Sequence, residues 1–107
     1  MRNVTVAAIQ MSIPETPEKS VEKAEKLVRK AAAEGANVIL LPELFENWYF
    51  CQERRYDSYK LALPLEENPA VRRFQTVAKE LSVVLPISFY EQDGNVLYNS
   101  VAMIDAD

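Results

Sequence analysis

Val38-Ile39-Leu40-Leu41-Pro42-Glu43-Leu44-Phe45-Glu46 carries the pattern that decides the fold. Four branched aliphatics in a row read as a strand with both faces covered, as in the middle of a packed sheet. Glu43 follows at once, so a single carboxylate is delivered to the mouth of an apolar core. Partial burial there, beside Phe45, Tyr49 or Phe50, would suit it to proton transfer near neutral pH. The residues that come next, Asn47-Trp48-Tyr49-Phe50-Cys51-Gln52, mix aromatics with a thiol, an unusual composition for a solvent loop.

On the N-terminal side, Val4 to Met11 reads as a first strand. Thr16 is placed as an N-cap, with Pro17 at the first helical position and Glu18 near the positive end of the helix dipole. Val21, Ala24, Leu27-Val28 and Ala31-Ala32 recur at helical spacing, and Gly35 suits the left-handed residue that ends such a helix. Strand, helix and strand make a β-α-β unit, so the first two strands are expected to be parallel with a right-handed connection.

On the C-terminal side, Asn68-Pro69 is a second cap-and-first-turn pair. Val71, Phe74, Val77-Ala78 and Leu81 mark the buried face of the helix it opens. Ser82 stands where a terminating Gly is usual. Val83 to Tyr90 reads as a third strand, in which Pro86 disfavours a central ladder and calls for edge-like or bulged geometry. Asp93-Gly94 signals a hairpin, and Val96 to Ile104 returns antiparallel. The fold class expected is α/β: a mixed sheet with two main helices on one face and nothing in this chain to cover the other.

Composition excludes more than it selects. The chain has 107 residues, 49% of them hydrophobic, a single Cys, no His and a net charge of −4. One thiol closes no internal disulfide, and without His there is no Ser-His-Asp, Cys-His or His-Glu-x-x-His arrangement. Two glycines, Gly35 and Gly94, leave no phosphate-binding loop. The negative charge argues against a nucleic-acid surface, and no apolar run is long enough for a membrane span. Met1-Arg2-Asn3 leads into a strand without a signal-peptide apolar region, so the cytoplasm is the default compartment.

Leu40-Leu41-Pro42-Glu43-Leu44-Phe45-Glu46, followed by Tyr49-Phe50-Cys51-Gln52, resembles the nitrilase (carbon–nitrogen hydrolase) superfamily, and within it the N-carbamoylputrescine amidases. The likeness extends to Val4-Thr5-Val6-Ala7-Ala8-Ile9-Gln10-Met11, to Pro64-Leu65-Glu66-Glu67-Asn68-Pro69 and to the closing stretch from Tyr98 to Asp107. It implies a four-layer α-β-β-α sandwich, of which residues 1–107 resemble only the N-terminal portion. It further implies a Glu-Lys-Cys triad with Glu43 as general base, the lysine and cysteine being supplied by the remaining C-terminal part of the fold. No metal or organic cofactor is expected, and self-association into a homo-oligomer is.

The substrate implied by the resemblance is a four-carbon amine bearing a carbamoyl group. Its ammonium end calls for a carboxylate or an aromatic face, for which Glu46 and Tyr49 are the candidates. Core packing competes with binding for all the aromatics here. Cys51 matches the element after the base, not the nucleophile, and reads as a small pocket-wall side chain. Lys19, Lys23, Lys26 and Lys30 fall on the solvent face of the first helix among acidic residues, a pattern of surface charge pairs. Asn99 could either buttress Glu43 or bridge neighbouring backbone. Related amidases acting on a β-ureido acid or an ω-amide, and a non-catalytic α/β binding module, are the competing readings.

Overall fold

The computed structural model describes residues 2–47 and 60–107. Strand β1 (Val6–Ala8) leads to helix α1 (Pro17–Ala33) and strand β2 (Val38–Leu40). A 3-10 turn (Leu65–Glu67) precedes helix α2 (Pro69–Leu81), and strands β3 (Leu85–Asp93) and β4 (Val96–Ile104) close the chain. β1 and β2 are parallel and β3 and β4 antiparallel, as the sequence pattern requires. The expected α/β class with two main helices is the one observed, while the mixed sheet expected of the strands is divided into a parallel pair and an antiparallel pair.

Both helices start where their capping residues place them. Thr16 Oγ1 accepts from the Lys19 N–H at 3.3 Å, and Asn68 Oδ1 accepts from the Val71 N–H at 3.0 Å. Each cap is followed by proline, whose missing N–H costs nothing in the first turn. At the far ends Gly35 (φ 101°) follows α1, while Ser82 (φ 55°) takes the left-handed conformation itself at the end of α2. The left-handed position usual for glycine is thus filled by Ser82.

The strands differ from the sequence expectation in instructive ways. β1 is shorter than the Val4-to-Met11 segment, and β3 runs three residues past Tyr90. The hairpin loop is Gly94-Asn95, with Asp93 still paired to Val96. Pro86 lies inside β3 opposite Met103. On its other side, among the described residues, the chain entering β3 bridges to β2 at Val38–Val84 alone, where Val84 N–H donates to Asn37 and Ile39 N–H donates to Val84. The next rung of a parallel ladder would need an N–H from residue 86, which proline lacks. Pairing stops there, and the two strand pairs are separate sheets joined at one bridge.

The core lies between the helices and one face of these sheets. Ile39, Leu85, Ile87 and Phe89 pack against Ala24 and Val28 of α1 and Phe74 and Val77 of α2. Phe45 joins them and meets Phe74 edge-on, with ring centroids 5.9 Å apart. The opposite face is bare: Leu40 is 49% exposed, Val101 59% and Met103 68%. The covering of both faces expected for Val38–Leu41 is therefore met only on the helix side, because alternate residues of a strand point to opposite faces and both helices lie on one.

Candidate active site

Where β2 and β3 part company, the chain after β2 turns through residues 43–46. This turn stands at the carboxyl end of a parallel strand, the place where open α/β sheets gather their ligands. Leu44, at its second position, has φ 50°, a left-handed conformation that costs a branched residue roughly 1 kcal/mol. Its side chain is buried, and its N–H donates to Ser88 Oγ on β3 at 3.0 Å. Both contacts hold the strained residue in place.

Glu43 precedes Leu44 and projects onto the bare face. Its carboxylate accepts a hydrogen bond from the Asn99 side-chain amide on β4. Together with Ser88, Leu40, Leu41 and Val101, these residues line an open hollow of about 320 Å³. Of the two roles open to Asn99 in the sequence, the structure shows the buttress. Glu43 itself is exposed. Of the neighbours expected to bury it, Phe45 turns inward to Phe74 instead, while Tyr49 and Phe50 lie outside the described residues.

Glu46 goes the other way. Only 9% exposed, it accepts from Asn68 Nδ2 at 3.0 Å, and Asn68 is at the same time the N-cap of α2. Burial pushes its carboxyl above the usual carboxylate range, with the Asn68 hydrogen bond opposing. Glu46 lines a separate hollow of about 340 Å³ between α1 and α2, beside Val21, Pro69 and Arg73. The substrate contact expected of Glu46 is not brought to Glu43 by this geometry. Glu43 and Glu46 are held at the two ends of the turn by different partners, Asn99 and Asn68. Tyr49, with Trp48, Phe50 and Cys51, lies outside the described residues.

Two participants went unremarked in the sequence. Ser88 is a polar residue inside the apolar run Leu85–Phe89, and Asn68 was read only as a cap. The signal for Ser88 was its polarity at a strand position buried to 6% exposure, a place where a hydroxyl must find a partner. Among the described residues no three of His, Cys, Asp or Glu gather as a metal ion would need. No helix among them is long and apolar enough to cross a membrane.

Residues 5–107, which include Glu43 and the asparagine that holds it, match the carbon–nitrogen hydrolase family. The chain belongs to that family. An N-carbamoylputrescine amidase from Oryza sativa subsp. japonica is 50% identical over 104 residues, an alignment that takes in 97% of this chain and 35% of that protein. A citrullinase from Francisella tularensis is 41% identical over 107 residues, covering all of this chain and 37% of the relative. The crystal structure of a carbon–nitrogen hydrolase from Helicobacter pylori G27 superposes with a TM-score of 0.86 at 25% identity, over 97% of this chain and 36% of the other. This carbon–nitrogen hydrolase chain thus spans little more than a third of the length of the curated relatives it matches.

Proposed function

We propose that this chain is the N-terminal portion of an amidase that hydrolyses N-carbamoylputrescine to putrescine, carbon dioxide and ammonia, and that Glu43 is its general base. The observation that supports this most is the placing of Glu43: a carboxylate at the end of a parallel strand, oriented by Asn99 and opening on a hollow. The substrate rests on the similarity to amidases of that name.

The chemistry needs a thiol and a cation that the rest of the polypeptide would provide. Glu43 takes the proton of the cysteine thiol, and the thiolate attacks the carbamoyl carbon. A lysine ammonium beside the developing oxyanion stabilises it as its charge grows. Glu43 returns the proton to the leaving nitrogen, which departs as ammonia and leaves a thiocarbamate on sulfur. The same carboxylate then draws a proton from water, whose oxygen displaces the sulfur. The carbamic acid so formed loses carbon dioxide to give the free amine.

Glu43→Ala in the parent polypeptide, assayed for ammonia release, tests the assignment. General-base removal is expected to cost about 10²- to 10⁴-fold in turnover; undiminished turnover would remove Glu43 from the mechanism. Residues 1–107 alone are expected to release no ammonia, and activity abolished by Glu43→Ala in that chain would overturn the division of labour. Glu46 accepts from Asn68, and the choice between a cationic and an acidic substrate falls to experiment. Turnover of N-carbamoylputrescine against a β-ureido acid decides it.

A further inference from the structure

The geometry points to Ser88 as a positioning residue for the proton-transfer carboxylate, holding the backbone beside it while Asn99 holds the carboxylate itself. This inference rests on the assignment of Glu43 as general base and goes beyond it.

Three observations converge. First, β2 carries no ladder to β3 beyond Val38–Val84, so the turn that bears Glu43 gets no backbone register from the neighbouring strand. The Leu44 N–H instead finds the Ser88 hydroxyl at 3.0 Å. Second, Leu44 sits at φ 50°, a conformation that persists only where surroundings over-determine it. Its hydrogen bond and its buried side chain are what the structure provides. Third, Ser88 and Asn99 belong to the same hairpin and the same sheet face: Ser88 pairs with Val101, and Tyr90 with Asn99, one alternate position along. One rigid hairpin therefore fixes both the main chain next to Glu43 and the Glu43 carboxylate. The far end of the turn is anchored separately, by Asn68 on Glu46.

A hydroxyl that serves only to satisfy a buried N–H would affect stability. A hydroxyl that sets the base would affect the chemical step, where a small misplacement lowers the rate without weakening substrate binding. The test uses the parent polypeptide and N-carbamoylputrescine, with kcat, KM and Tm measured for Ser88→Ala, Ser88→Thr and Ser88→Cys. Val77→Ala, a core truncation on α2, serves as the stability control.

The expected result is a fall in kcat of tenfold or more for Ser88→Ala with KM within twofold, recovery in Ser88→Thr, and an intermediate kcat in Ser88→Cys, whose sulfur is a weak acceptor. Val77→Ala is expected to lose at least as much Tm with kcat within twofold of the parent. Should Ser88→Ala fail to fold, the comparison of Thr with Cys carries the same ordering. The inference is overturned if Ser88→Ala or, in its place, Ser88→Cys keeps kcat within twofold, or if Val77→Ala loses kcat to the same degree. Glu43→Gln in the same series separates the two levels. Full turnover there removes the base itself, whereas a dead Glu43→Gln beside an unimpaired Ser88→Ala removes only the role of Ser88.

Discussion

The Asn99 side-chain amide donates to the Glu43 carboxylate across 56 positions of sequence, joining the end of β2 to the middle of β4. A hydrogen bond to a charged group contributes about 1.5–3 kcal/mol where it is well formed. Asn99→Ala in the parent polypeptide is therefore expected to reduce turnover by about tenfold or more. Asn99→Asp should be worse at neutral pH, because it sets a second carboxylate against the first. Ammonia-release kinetics on the pair check this; equal activity in all three proteins would show that the contact does no catalytic work.

Asn68 serves two partners at once, capping α2 through its oxygen and Glu46 through its nitrogen. Asn68→Ala removes a cap worth about 1 kcal/mol and leaves a buried carboxylate without its donor, a further ~1–3 kcal/mol. Asn68→Asp keeps the cap but faces Glu46 with a like charge. Thermal unfolding is expected to rank them parent, then either variant well below. A Tm unchanged in Asn68→Ala would contradict the double role.

Two carboxyls pull stability in opposite directions with pH. Burial raises the pKa of Glu46 above its ordinary 4.5, so the folded state holds that proton more tightly than the unfolded chain does. Its contribution is complete below 4.5 and is lost as pH rises through the folded-state value. Glu25, held down chiefly by its hydrogen bond from Arg73, contributes above its unfolded value and loses that contribution as the medium becomes acid. Denaturant unfolding across pH is expected to show Glu46→Gln flattening the loss on the neutral side. Glu25→Gln should flatten the loss on the acid side. Reversed assignments would refute the structural placement of either group.

Phe74 is fully buried and meets Phe45 edge to face. Phe74→Ala opens a cavity at the junction of α2, the sheet and the turn after β2, with an expected cost of ~3–5 kcal/mol. In a chain of this size that approaches the whole stability, so loss of the cooperative unfolding transition by circular dichroism is the outcome to look for.

The bare sheet face gives a prediction about the isolated chain. Val101 and Met103 stand side by side on β4's exposed side, near Leu40 of β2. Met103→Lys should shift residues 1–107 towards a monomer in sedimentation velocity. The same change in the parent polypeptide should lower stability. A monomeric unsubstituted chain would show that the face tolerates water unaided.

Local rules made the helices readable. Thr16-Pro17 and Asn68-Pro69 fix their starts within a few residues of sequence, and the apolar spacing assigns their faces. The position of Glu43 just past a strand was readable too, because an acid directly after an aliphatic run is a local pattern. Ser88 was not, since the group it holds is the backbone of Leu44, and nothing in a strand's own sequence names a main-chain partner 44 residues away. The Asn68 partner of Glu46 is hidden for a related reason. The turn between β2 and Glu46 passes through the left-handed Leu44, which no propensity favours and only tertiary contacts impose. Pro86 is legible as a ladder fault; that the turn bearing Glu43 lies where the ladder stops is a three-dimensional fact.

Val6, Leu40, Val101 and Met103 form a greasy plane on one side of this chain as soon as its strands pair. A ribosome adds residues at about 5–20 per second, so the remaining two-thirds of a protein as long as the known relatives would follow some tens of seconds at most behind. A nascent polypeptide of that kind would hold this plane in water for the whole interval, a foothold for chaperones that bind apolar surface. Its yield in the cell should therefore track their supply.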